Sequence, residues 1–152
     1  MNQPDEKSIV EFFQRGGSMK ILCDMDESSL DTIYNYAFQL FETGQTAEAY
    51  RHFYFLASMD QWNFDYLLAL GICCQRMGEH EQAIYCFSRS GQRELADPRS
   101  SYYAGISYQC LGNKSYARKA FNAAVRWCSD KPEYQQLKSK VSAALARTML
   151  EV

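Results

Sequence analysis

Residues 71–87 read GICCQRMGEHEQAIYCF, and the skeleton of that stretch returns 34 residues away on both sides. Residues 37–53 read AFQLFETGQTAEAYRHF and residues 105–121 read GISYQCLGNKSYARKAF. Four columns coincide: Ala37, Gly71 and Gly105; Gly44, Gly78 and Gly112; Ala49, Ala83 and Ala117; Phe53, Phe87 and Phe121. A fifth, Leu56, Ser90 and Ala124, keeps a small or apolar residue three places after each phenylalanine. A period of this length marks supersecondary units that stack on one another.

Each column has a physical reading as part of an antiparallel helix pair. A small residue at Ala37, Gly71 or Gly105 lets the second helix approach the first, and the glycine seven places on ends the first helix in a left-handed turn. The alanine and phenylalanine of the second helix lie four apart on one face, so the ring faces the small column. The pattern predicts an all-α chain with helices near 30–43, 46–59, 64–77, 80–93, 98–111 and 114–127. Asp97-Pro98 marks a helix start, with the acid at the cap and proline at the first helical position.

Outside the repeats, Pro132-Glu133 opens a last helix whose apolar residues Tyr134, Leu137, Val141, Leu145 and Met149 predict one sticky face that caps the stack. Ahead of them, Ile9, Phe12 and Phe13 predict a short amphipathic turn or two stopped by Gly16-Gly17, followed by Met19, Ile21 and Leu22. The expected organisation is an N-terminal arm over 1–29, three repeats over 30–63, 64–97 and 98–131, and a capping helix over 132–152.

Composition narrows the function. The chain has 152 residues, 47% of them apolar and 14% aromatic, enough for a packed core. Sixteen basic residues face eighteen acidic ones, so a net charge of −2 offers no general attraction to nucleic acid or anionic membranes. The longest apolar run, Tyr66 to Cys74, is about half of the roughly 20 residues a membrane-spanning helix needs. A polar, acidic start from Met1 to Lys7 lacks the form of a secretory signal and predicts a cytosolic protein. Six cysteines at irregular spacing, without a CxxC pair, predict reduced and buried thiols, and His52 and His80 complete no metal-ligand spacing. No nucleotide-binding, zinc-protease or nucleophile-elbow string occurs, so neither a cofactor nor catalysis is expected; Cys86 with His80 is the nearest candidate pair.

The period, the helix pairs and the order small, Gly, Ala, Phe resemble the tetratricopeptide repeat, with departures at Ala37, where glycine is usual, and Ser101, where a bulky apolar residue is usual. The resemblance implies a right-handed superhelix whose concave wall is made by the first helix of each pair. It points to a peptide-binding groove at Asp31, Tyr34, Phe38 and Phe41, then Asp65, Leu68, Ile72 and Gln75, then Arg99, Tyr102, Ile106 and Gln109. Gln75 and Gln109, one repeat apart, are expected to hydrogen-bond a peptide backbone or to stay solvated; Asp31 and Asp65 equally suit helix dipoles. Of the basic clamp by which some repeats of this type hold a carboxylate, only Arg99 could serve, since its positions fall on Tyr34, Phe38, Ala69, Arg99 and Tyr103. An apolar, extended client is expected.

Phe12-Phe13-Gln14-Arg15-Gly16-Gly17, Asp60-Gln61-Trp62-Asn63-Phe64-Asp65-Tyr66, Asp97-Pro98-Arg99 and Lys131-Pro132-Glu133-Tyr134 resemble the class II chaperones of bacterial type III secretion. That resemblance implies an ATP-independent holdase in the bacterial cytoplasm for the hydrophobic, pore-forming translocators, without stable membrane insertion. It also implies a homodimer through Ile9, Phe12, Phe13, Ile21 and Leu22; packing of these residues back onto the first repeat is the rival arrangement. An adaptor that binds a soluble protein through the same groove is the alternative function.

Overall fold

A computed structural model describes residues 5–150, and among these there are helices and turns but no strand. The helices are α1 (Glu6–Gln14), α2 (Met19–Leu22), α3 (Glu27–Glu42), α4 (Thr46–Met59), α5 (Phe64–Arg76), α6 (His80–Arg93), α7 (Arg99–Cys110), α8 (Lys114–Cys128) and α9 (Gln135–Leu150). A 3-10 turn, Pro132–Tyr134, precedes α9. Helices α3/α4, α5/α6 and α7/α8 are the three antiparallel pairs, stacked in chain order with α9 laid against α8.

Local chemistry sets the boundaries. The Asp26 carboxylate accepts from the Ser28 and Ser29 amides at 2.6 and 3.3 Å, and the Asn63 and Asn113 side chains accept from Tyr66 and Tyr116 at 3.1 Å, satisfying amide donors that open α3, α5 and α8. Gly44, Gly78 and Gly112 hold φ of +85°, +80° and +78° just beyond α3, α5 and α7. At each, the following amide reaches back to the carbonyl five residues earlier, as Gln45 to Leu40 at 2.9 Å, which closes the helix in a Schellman turn.

The small column works as a socket. A Cβ added at Gly71 would sit 2.5 Å from the Phe87 ring, and one at Gly105 would sit 2.5 Å from the Phe121 ring. Phe53, Phe87 and Phe121 are at most 1% exposed, and Ala37 is fully buried in the first pair. Around these rings lie three clusters, the last formed by Ala117, Phe121, Ala124, Val141 and Ala144, which ties α9 to the third pair.

Two sequence expectations need correction. The buried face of α9 is Val141, Ala144 and Thr148, with Leu137 and Leu145 beside it, while Met149 is exposed. A strict four-residue step drifts by about 40° each time on a helix of 3.6 residues per turn, so the contact stripe moves from the 141–145–149 row to 144 and 148. Cys73, Cys74, Cys86 and Cys128 are buried free thiols as expected, but Cys23 and Cys110 are exposed. Burial pushes the Cys73 thiol up to about 12, which keeps it protonated.

The arm folds back. Phe12 covers Gly17, and Phe13 borders a surface hollow with Tyr54, Ala57 and Leu70. The Gly16 carbonyl accepts from the Trp62 indole N–H at 2.8 Å, and the Gly17 carbonyl from Gln61 Nε2 at 2.9 Å. Lys20 Nζ donates to Glu27 at 2.6 Å and to the mostly buried Asp60 at 3.0 Å, contacts that push its ammonium up to about 12. Arg93 lies 4.4 Å over the Trp62 ring and donates to the Gln61 carbonyl. The Phe12–Gly17 and Asp60–Tyr66 motifs thus meet in one clasp.

If the ring-in-socket contact holds each pair together, Gly105→Leu should lower the unfolding free energy by about 1–3 kcal/mol through overpacking against Phe121. Gly112→Ala, with no atom within 4 Å of the added Cβ, should cost only the left-handed strain of about 1–2 kcal/mol. Urea unfolding followed by helicity distinguishes them through a third variant, Gly105→Leu with Phe121→Leu. Relief of the first defect by the smaller partner is expected, and no relief would show that the ring is not the obstacle.

Candidate functional site

The first helices of the pairs, α3, α5 and α7, form the concave wall, and a cavity of about 190 Å³ opens in it where the three come together. That is below the roughly 300–1,000 Å³ typical of small-molecule sites and suits protruding side chains of a peptide better than a cofactor. From α3 the lining takes Tyr34, Phe38 and Phe41; from α5 it takes Asp65, Leu68, Ala69 and Ile72. Arg99 and Tyr103 of α7 close the far side, and Phe53 of α4 forms part of the floor.

The i, i+4 and i, i+3 spacing of Tyr34, Phe38 and Phe41 puts three rings in a row on one face of α3. Tyr34 meets Phe38 at 6.1 Å between ring centroids and Phe38 meets Phe41 at 6.2 Å. Behind them, Tyr34 sits edge-on to Phe53 at 5.7 Å and tilted on Tyr66 at 5.8 Å, which anchors the row to the core. Phe38 is 42% exposed, whereas Leu68 is 6% exposed and Tyr34, Phe41 and Ile72 are half-buried. The row is a rigid apolar shelf with one ring standing out into solvent. Burial raises the Tyr34 phenol above its ordinary value, so the hydroxyl stays neutral and able to donate at physiological pH.

Polar groups at the cavity are mutually engaged. Arg99 forks onto the Asp97 carboxylate, with Nη2 at 2.8 Å and Nε at 3.1 Å, and stands 3.8 Å from Asp65. Its guanidinium also lies 4.9 Å over the Phe64 ring. The hydrogen bonds that Arg99 donates to Asp97 raise its pKa and fix its cation in place. Cys86 lies in the core and its thiol is held protonated, first by its hydrogen bond with Cys74 and then by burial; His80 instead places Nδ1 3.1 Å from Ser107 Oγ. The two are therefore not a nucleophile and base. Among the described residues no group of His, Cys, Asp and Glu side chains is arranged to hold a metal, and no helix is long and apolar enough to cross a membrane.

Seven of the twelve groove residues named from sequence line this cavity: Tyr34, Phe38, Phe41, Asp65, Leu68, Ile72 and Arg99. Tyr102 and Ile106 do not; they pack with the third cluster, Tyr102 at 6.4 Å from Phe121. The column of Tyr34, Leu68 and Tyr102 leans in each case toward the next helix pair, so its third member faces α9 and Tyr103 takes its place in the cavity. Asp31 is exposed on α3, and Gln109 is half-buried near the end of α7, both outside the lining. Gln75 is not free for a peptide: Nε2 donates to the Tyr103 carbonyl at 2.9 Å and to Ser107 Oγ at 2.7 Å, joining the second pair to the third. Sequence reading missed Ala69 and Tyr103, although both had been considered as positions of a basic clamp.

Comparison with known proteins agrees with this architecture. The tetratricopeptide repeat family model matches residues 30–63. The chain is 26% identical to the low calcium response locus protein H of Yersinia pseudotuberculosis, over 98% of this chain and 89% of the relative. It is similar to a chain in a crystal structure of a type III secretion complex from Aeromonas hydrophila, with a TM-score of 0.92, 27% identity and coverage of 96% and 97%. It also matches the type III secretion chaperone SycD of Yersinia enterocolitica, solved in complex with a peptide of the translocator YopD, with a TM-score of 0.80, 26% identity and coverage of 84% and 97%.

Replacing the Gln75 amide by a side chain without a donor removes both hydrogen bonds that tie the second pair to the third and leaves Ser107 Oγ with His80 alone. Gln75→Leu should therefore lower the unfolding free energy by about 1–3 kcal/mol in urea titrations. Unchanged stability would return Gln75 to the set of residues free to meet a ligand.

Proposed function

We propose that this chain, a tetratricopeptide homologue of the type III translocator chaperones, holds an extended apolar segment of a pore-forming translocator in its concave wall. The observation that carries the reading is the open cavity bounded by Phe38, Phe41, Leu68 and Ile72, with Phe38 left in water. An exposed ring backed by a rigid row of others loses little conformational entropy when an apolar side chain covers it, and that burial contributes roughly 25 cal/mol per Å². The client backbone lies extended across the three first helices, with Tyr34, Tyr103 and Ala69 framing the side chains that enter.

A holdase of this kind acts without nucleotide in the bacterial cytoplasm. It keeps the client from aggregating, from entering the wrong membrane and from pairing too early. No covalent chemistry is part of this reading: the Cys73 and Cys86 thiols are held protonated, and His80 engages Ser107. As a homodimer it would associate through the apolar residues the docked arm leaves outside. Ile21 and Leu22, 62% and 40% exposed, are the candidates, with Ile9 half-buried beside them in the arm. Phe12 and Phe13 are half-buried, Phe12 over Gly17 and Phe13 beside the hollow at Tyr54 and Leu70.

A translocator made alone should be insoluble and should become soluble when co-produced with this chain. Phe38→Glu or Ile72→Glu should weaken capture by roughly 100-fold, about 3 kcal/mol, because a carboxylate would be buried against the client without a partner. Circular dichroism separates lost binding from lost fold, and full capture by both variants with native helicity would sink the groove assignment. Ile21→Asp combined with Leu22→Asp should shift sedimentation from dimer to monomer while sparing helicity; an unchanged dimer would place the interface elsewhere.

A further inference from the structure

The three helices of the concave wall carry two basic residues between them, Arg76 on α5 and Arg99 on α7. Arg99 is neutralised by Asp97 and Asp65. Arg76 is different. Its guanidinium lies 4.2 Å over the Phe41 ring, which itself lines the cavity, and among the described residues no carboxylate or hydrogen-bond acceptor is paired with it. The residue is exposed, at the end of α5.

A guanidinium stacked on a ring uses its face for the ring and keeps its N–H donors in the plane, aimed outward. Stacking also fixes the long side chain, so little entropy remains to be lost when an anion arrives. The other charges of the wall are acidic: Glu27, Asp31 and Asp65 toward the starts of the helices and Glu42 at the end of α3. The wall therefore has a negative edge at its helix starts, where Arg99 is already satisfied, while the opposite edge carries the unpaired Arg76 beside the apolar shelf and Glu42 at the equivalent position one repeat earlier.

We infer that Arg76 is a specificity-determining residue of the groove, selecting client segments that carry an Asp or Glu side chain next to the apolar side chain seated over Phe41. This rests on the groove reading above. The carboxylate meets the in-plane donors of Arg76 while its apolar neighbour covers Phe38 and Ile72. A lysine at the same client position meets Arg76 with like charge and is rejected, which also fixes the direction in which the segment lies.

The test uses the full chain and fluorescein-labelled octapeptides with leucine at the centre and Asp, Asn or Lys at each flanking position in turn, read by fluorescence polarisation at low and high salt. Wild type should bind the best Asp peptide about tenfold more tightly than its Lys counterpart, with the difference shrinking as salt screens the pair. Arg76→Gln should abolish that preference while binding the Asn peptide as wild type does, and Arg76→Glu should reverse it. Thermal unfolding by circular dichroism should be alike in all three, and Arg76→Lys, which keeps charge without the flat fork, should retain part of the preference. Equal binding of Asp and Lys peptides by wild type, or a preference that survives Arg76→Gln, would overturn the inference while leaving the groove intact. Binding of no peptide at all would overturn the groove reading and this inference with it.

Discussion

Everything in this molecule depends on a phenyl ring pressed into the space where a neighbouring helix has almost no side chain. Phe87 against Gly71 and Phe121 against Gly105 leave no room for even a Cβ, and Phe53 makes the corresponding contact where Ala37 is fully buried. That contact fixes how closely the two helices of a pair approach and at what rotation. Once the rotation is fixed, the side chains three places before and one place after the socket residue are obliged to lie on the adjoining, concave face. Tyr34 and Phe38 bracket Ala37; Leu68 and Ile72 bracket Gly71. The groove is therefore a geometric consequence of the core, and its apolar character is the only independent choice the sequence makes there.

What could be read from sequence follows the same division. The sockets, their phenylalanines and the turn glycines were legible because one physical contact is repeated three times at a fixed period. Positions within the first helices were legible only to the nearest face. Tyr102 stands in the column of Tyr34 and Leu68, yet that column leans toward the following pair. Only a structure that places α9 there shows Tyr103 to be the residue in the cavity. Gln75 looked like a ligand for a peptide backbone because glutamine recurs at Gln109; its partners, Tyr103 and Ser107, lie 28 and 32 residues away in the next pair, and no local pattern announces them. The α9 face was misjudged by one step for a simpler reason, the accumulated difference between a four-residue row and a helical turn.

The arm illustrates a contact that was present in the sequence as two separate phrases. Gly16-Gly17 reads as a stop to α1, and Trp62 as one aromatic in a connecting loop. Joined, the positive φ of Gly16, at +90°, turns its carbonyl toward the Trp62 indole, and Arg93 covers the other side of that ring. The arm is thereby fixed by backbone carbonyls and the part-buried ion pair of Lys20 with Asp60 more than by apolar burial. That arrangement leaves Phe12 and Phe13 half-buried near the clasp and Ile21 and Leu22 exposed further along the arm.

A holdase must keep an oily surface available without becoming insoluble itself, and the wall meets that demand by placing cations on rings. Arg76 covers Phe41 at one end of the apolar row, and Arg99, which also lines the cavity, covers Phe64 at the start of α5, guanidinium groups whose stems and flat faces shield carbon. Only Phe38, between them, stands well into water. Among the apolar residues that line the cavity, only this ring is exposed. On the proposed reading, a client gains by covering that ring and displacing little else, so the affinity rests on a small apolar area.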